Sequence, residues 1–125
     1  MYILDTHTLL WFLDKSENLS QNVRNIIASA DDLFVSIATF WEIAIKQNLG
    51  KLKIDFSPSE LEALAKSQSI QILPVTTEYL DIIKNLERIH RDPFDRMIIA
   101  TAMVNDFTIL TCDGIIPNYK VKTAW

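Results

Sequence analysis

Four acids, Asp5, Glu42, Asp95 and Asp113, fall where elements of an α/β chain begin or end. Asp5 closes the apolar run Tyr2-Ile3-Leu4, and Asp113 follows Phe107-Thr108-Ile109-Leu110 by two residues. Glu42 and Asp95 lie near the starts of two helical patterns. In a parallel sheet the carboxyl ends of the strands face one crevice. Carboxylates gathered there repel one another unless a cation neutralises them. Hard oxygen ligands suit magnesium or manganese. The first expectation is therefore a metal-dependent enzyme.

Each acid also has a plainer reading. Asp5 could be a helix N-cap. Glu42 could be a surface residue paired with Lys46 at i+4. Asp92 could cap the helix opened by Pro93, which would leave Asp95 in a first turn that the helix dipole favours. Asp113-Gly114 could be a simple turn. These readings explain the acids singly and leave their shared placement unexplained.

Other chemistries have less support. His7 and His90 could form the acid–base pair of a metal-free ribonuclease, but their settings fit solvated or capping roles better. No Ser/His/Asp or Cys/His set is apparent. The only glycines, Gly50 and Gly114, make no phosphate-cradling loop. Zinc is disfavoured by one cysteine and two histidines. Cys112 has no internal partner for a disulfide, which fits a reducing compartment. It reads as a small buried hydrophobe.

The elements that must position these residues follow from pattern and punctuation. Strands are expected at Tyr2–Asp5, Leu33–Ser36, Ile70–Val75 and Thr108–Thr111, with a short fifth at Lys120–Thr123. Helices are expected over Thr8–Asp14, from Leu19-Ser20 through Ala30, over Thr39–Asn48, from Ser57-Pro58 through Ala65, over Thr77–Ile89, and from Pro93 through Val104. Ser57 suits an N-cap with Pro58 in the first turn. Gly50 suits a C-terminal cap. His90 to Pro93 reads as a loop. Strands alternating with helices imply a sheet covered on both faces. With 125 residues, 49% of them hydrophobic, the chain is expected to form one domain over residues 1–125.

The net charge is −4, from 12 basic and 16 acidic residues. Taken alone, that sign argues against a nucleic-acid partner. If four acids hold a metal, the remaining charges balance, so the total decides little. A targeting segment is not expected, because the first residues lack a basic run and Asp5 interrupts the first apolar stretch, and no apolar run reaches the roughly 18 residues of a membrane span. A cytoplasmic protein is expected.

The segments Ile3-Leu4-Asp5-Thr6-His7, Ser36 through Lys46, His90 through Ala100 and Leu110-Thr111-Cys112-Asp113 resemble PIN-domain ribonucleases. Among these they look most like VapC-type toxins of prokaryotic toxin–antitoxin pairs. The resemblance runs along the whole chain, and the third segment is the most specific. It implies a three-layer α/β/α sandwich on a mostly parallel sheet of four to five strands. It implies Mg2+ or Mn2+ at Asp5, Glu42, Asp95 and Asp113, and hydrolysis of RNA to a 5′-phosphate and a 3′-hydroxyl. Thr6, Ser36 and Thr111 become supporting hydroxyls, and Asp92 a possible additional ligand.

Lys46 and Arg96 are candidates for RNA phosphate contacts. The alternative for both is ion pairing with Glu42, Asp92 or Asp95. Trp11, Phe12, Phe40 and Trp41 exceed what the outer helices of a small sandwich need for core, so a dimer face or partner groove is expected. The resemblance supplies both partners, a second copy and a cognate antitoxin. Other readings are a PIN nuclease of RNA processing without an antitoxin, and a catalytically inactive PIN-like binding module. A phosphoacceptor receiver domain is a more distant one. It lacks support because Asp5-Thr6-His7 has no paired acids and no lysine follows Asp113-Gly114.

Overall fold

The computed structural model describes residues 1–125. Five short strands, β1 (Tyr2–Leu4), β2 (Leu33–Ser36), β3 (Ile70–Leu73), β4 (Thr108–Leu110) and β5 (Lys122–Ala124), form one sheet in the order β3-β2-β1-β4-β5. Every pairing is parallel. The central strand, β1, sets Leu4 beside Leu110 of β4. The residues after these two therefore emerge side by side at the carboxyl edge.

Alternation along the strands divides the core. Leu4, Leu33, Val35 and Leu110 point to one face, where Leu9, Val23, Ile43 and Leu61 pack against them. Those partners come from α1 (Thr6–Leu13), α2 (Gln21–Ser29), α3 (Ile37–Asn48) and α4 (Pro58–Ser67). Ile3, Phe34 and Ile109 point to the other face, against Ile98, Ile99 and Ala102. These belong to α6 (Pro93–Asn105), which packs on α5 (Thr77–Asn85). Apolar residues on both faces of each strand are the signature of a doubly covered parallel sheet. The result is the expected α/β/α sandwich, with five strands.

Caps fix where the helices start. The Ser57 hydroxyl accepts from Glu60 N–H while the Glu60 carboxylate accepts from Ser57 N–H, with Pro58 in the first turn. This reciprocal capping box satisfies two otherwise unpaired donors. Gly50 takes φ +71° just past α3, a conformation that glycine adopts without a Cβ penalty.

Some boundaries differ from expectation. Helix α1 starts at Thr6, because Asp5 caps it. Helix α5 stops at Asn85, and residues 86–92 form a longer loop. The fifth strand is shifted to Lys122–Ala124.

Candidate active site

The parallel sheet delivers Asp5 and Thr111 to one edge. Asp5 Oδ1 accepts the Thr8 N–H at 2.9 Å as the N-cap of α1. Its Oδ2 accepts the Thr111 hydroxyl at 2.5 Å. Thr111 Oγ in turn accepts the Asp113 N–H at 3.0 Å. One hydroxyl thus ties the loop after β4 to the end of β1. The capping role of Asp5 and its place in the cleft coexist in one residue.

Glu42 is buried at 5% exposure, on the second turn of α3. Its Oε1 accepts from the Thr6 hydroxyl and its Oε2 from Lys46 Nζ at 2.7 Å. The i+4 pair anticipated from sequence is present, and it lies in the cleft. Desolvation lowers the Lys46 pKa, but the hydrogen bond and charge of Glu42, with help from Asp92 and Asp95, hold it above the ordinary lysine value.

Asp92 is the N-cap of α6, with Oδ1 accepting from Phe94 and Asp95 N–H. Asp95 occupies the first turn. Burial, followed by the charges of Asp92, Asp5, Glu42 and Asp113, pushes its carboxyl up to about 8. Asp113 goes the other way. Burial raises its pKa, but the Ile116 and Ile115 N–H donors and His90 outweigh that and hold it below the usual range.

His90 is the residue that sequence reasoning missed. It is buried, with Nε2 lying 2.9 Å from Asp95 Oδ2 and 3.3 Å from Asp113 Oδ2. Its Nδ1 accepts the Asp92 N–H at 3.2 Å, which places the ring proton on Nε2. The ring therefore donates toward the two carboxylates. Its position depends on the 86–92 loop, where the Tyr119 hydroxyl accepts the Ile89 and His90 N–H groups and donates to the Glu87 carbonyl. The one signal available in sequence was its spacing of two and five residues from Asp92 and Asp95.

Asp5, Glu42, Asp92, Asp95, Asp113, Thr6, Lys46 and His90 line a single cavity of about 430 Å3. A ring nitrogen of His90 and carboxylate oxygens of Asp95 and Asp113 lie within 4.8 Å of one another. Asp5 and Glu42 stand in the wall of the same cavity, outside that tightest cluster. The donors are mostly carboxylate oxygens, and burial together with the neighbouring acids raises the Asp95 carboxyl, both of which a bound cation would offset. The residues fit a hard divalent ion.

Two expectations need correction, those for Arg96 and Cys112. Arg96 does not face the cleft as a free cation: Nη1 and Nη2 donate to the Glu87, His90 and Leu86 carbonyls and to Tyr119 Oη. It has no ion pair with Asp92 or Asp95 either, because its fork already closes the 86–90 loop. Ser36 lies behind the cavity wall, where its hydroxyl accepts the Ala38 N–H and caps α3, the helix that carries Glu42. Cys112 is exposed rather than buried, since β4 ends at Leu110 and the chain turns outward. Desolvation and then the charge of Asp5 push its thiol up, so it is a poor nucleophile.

The apolar surplus divides similarly. Phe40 is core, Trp11 and Phe12 pack half-buried against it, and Trp41 is 64% exposed with an edge contact to Phe94.

The sequence matches the PIN domain family over residues 2–122, and the chain belongs to that family. No curated protein sequence matches it. Its fold is similar to that of a toxin–antitoxin complex from Klebsiella pneumoniae, with TM-score 0.67 and 13% identity over 100% of this chain and 97% of that one. It is also similar to VapBC2 from Rickettsia felis bound to a promoter DNA fragment, with TM-score 0.69 and 13% identity over 98% and 96% of the two chains. A third is FitAcB from Neisseria gonorrhoeae, with TM-score 0.66 and 21% identity over 98% and 96%.

Proposed function

We propose that this protein is a metal-dependent ribonuclease that hydrolyses RNA phosphodiester bonds and acts as the toxin of a toxin–antitoxin pair. The observation that carries the catalytic part is the convergence of Asp5, Glu42, Asp92, Asp95 and Asp113 in one cavity of a PIN-domain chain. The toxin part is supported by fold similarity to toxin–antitoxin complexes.

Asp5, Asp95 and Asp113 would hold Mg2+ or Mn2+, with Glu42 completing the set and Asp92 available beside them. Such an ion acidifies a water and stabilises charge on the phosphate. The chain supplies orientation. Thr8 N–H and the Thr111 hydroxyl fix the Asp5 carboxylate. Ile115 and Ile116 N–H groups keep Asp113 ionised. Thr6 and Lys46 aim Glu42, which would orient the attacking water. Asp95, protonated up to about pH 8 in the metal-free cleft, would give up that proton when a cation enters.

The antitoxin would be a second protein chain, and the dimer a second copy. A 470 Å3 groove lined by Leu10, Trp11, Ile54, Phe56, Leu61 and Leu64 is an apolar surface suited to a partner helix. Ile37 and Trp41, one helical turn apart and exposed on α3, are a candidate self-association face. No helix is long and apolar enough to cross a membrane, consistent with the cytoplasmic setting we propose.

The test is incubation of purified protein with single-stranded and structured RNA in Mg2+, Mn2+ or EDTA, followed by mapping of the product ends. Cleavage in metal alone, leaving a 5′-phosphate and a 3′-hydroxyl, is expected. A 2′,3′-cyclic phosphate, or cleavage indifferent to EDTA, would remove the metal mechanism.

A further inference from the structure

We propose that Lys84, Arg88 and Arg91 form a track for the phosphodiester backbone of the RNA substrate, leading into the carboxylate cavity at His90. This rests on the ribonuclease reading and deepens it by naming how the substrate is held.

A second cleft, of about 730 Å3, opens at the end of α5 and the start of α6. Lys84, Arg88, Arg91 and Arg96 line it, together with His90, and no carboxylate does. Four cations on one wall stand out in a chain of net charge −4. His90 lines both this cleft and the carboxylate cavity, so the two meet there.

The four cations differ in their commitments. Arg96 is occupied by the carbonyls of the 86–90 loop. Lys84, Arg88 and Arg91 are exposed, and none forms a salt bridge or donates a side-chain hydrogen bond. Lys46, by contrast, is tied to Glu42. Exposed cations without acidic partners are the groups that exchange counterions for phosphates. Arg88 and Arg91 flank His90 in sequence on the loop whose backbone Arg96 and Tyr119 hold in place.

The arrangement also answers an electrostatic problem. A cavity of carboxylates repels a polyanion, and cation binding inside it offsets that only locally. A neighbouring wall of positive charge supplies attraction along the strand without neutralising the acids. A neutral apolar ligand has no use for such a wall. An acidic polypeptide could use it, but the junction with the acid-lined cavity favours a strand whose phosphates are the reacting groups.

The test uses the full chain in EDTA, where cleavage is not expected, with a short fluorescein-labelled single-stranded RNA read by anisotropy across a salt series. The variant is Lys84→Gln/Arg88→Gln/Arg91→Gln. A charge-matched control is Lys51→Gln/Lys53→Gln/Lys120→Gln, whose residues are exposed and line neither cleft. Each lost phosphate contact should reduce the slope of log K against log salt by about 0.7. The cleft variant should therefore lose a slope of about 2 and bind RNA at least tenfold more weakly, while the control keeps most of its affinity.

Equal weakening in both variants would overturn the track and leave only general charge. Unchanged RNA binding in the cleft variant, with loss of poly-glutamate binding, would reassign the cleft to an acidic polypeptide. Absence of RNA binding by wild type would also overturn it. Failure of the ribonuclease reading shows separately, as wild type that binds RNA in this assay and leaves it intact in Mg2+ and Mn2+.

Discussion

His90 Nε2 lies 2.9 Å from Asp95 Oδ2, and because Nδ1 accepts the Asp92 N–H, Nε2 carries the proton and donates. A ring wired this way orients carboxylates and is not itself set up to ligate a cation. The imidazole supports the acids much as outer partners support metal ligands elsewhere. His90→Gln keeps a donor of similar size but loses the rigid geometry. Its melting temperature in EDTA should fall, and the rise on adding Mg2+ should be at least as large as in wild type. A clearly smaller Mg2+ shift would make His90 a ligand.

The metal-free protein should lose stability as pH rises. Asp95 titrates near 3.8 when unfolded and near 8 in the folded cleft, so the folded state holds the extra proton between those values. Stability therefore falls with increasing pH across that window. Melting curves in EDTA at several pH values should show the decline, and Asp95→Asn should flatten it. Asp113 contributes with the opposite sign at acid pH, because its folded pKa is lowered. Its share is lost as pH falls below the ordinary carboxylate range.

Arg96 should behave as a structural residue. Its guanidinium donates to three backbone carbonyls and Tyr119 Oη, and truncation leaves those acceptors without a charged donor. Arg96→Ala should cost on the order of 2 kcal/mol in urea unfolding. Arg96→Lys should rescue little, since an ammonium lacks the planar fork. A variant with wild-type stability and weakened RNA binding would restore the phosphate role expected from sequence.

Much of this was legible in the chain. Short, mostly apolar runs before Asp5 and Thr111 marked β1 and β4, and caps at Ser57-Pro58 and Pro93 marked helix starts. The acids could be grouped because strand ends share an edge in any parallel sheet. His90 and Arg96 were not legible, because their positions are set by Tyr119, which lies 29 residues beyond His90. Local spacing carries no trace of that contact. The outward turn of Cys112 had a similar cause: β4 is one residue shorter than its apolar pattern suggested, so alternation stops before reaching it.

Trp41 tests the association face. An indole 64% exposed on α3, in edge contact with Phe94, is costly to leave in water. Sedimentation velocity at micromolar concentration should show a dimer for wild type and a monomer for Trp41→Lys. Wild type that stays monomeric would leave Trp41 for another partner and would not touch the catalytic assignment.

The central claim is that carboxylates from separate elements form one divalent-cation site. Titration with Mn2+, with the free ion followed by electron paramagnetic resonance, tests it directly. Wild type should take up the ion, and Asp95→Asn and Asp113→Asn should each weaken uptake at least tenfold while remaining folded. Wild type that leaves all the manganese free, or variants that bind it as wild type does, would contradict the account.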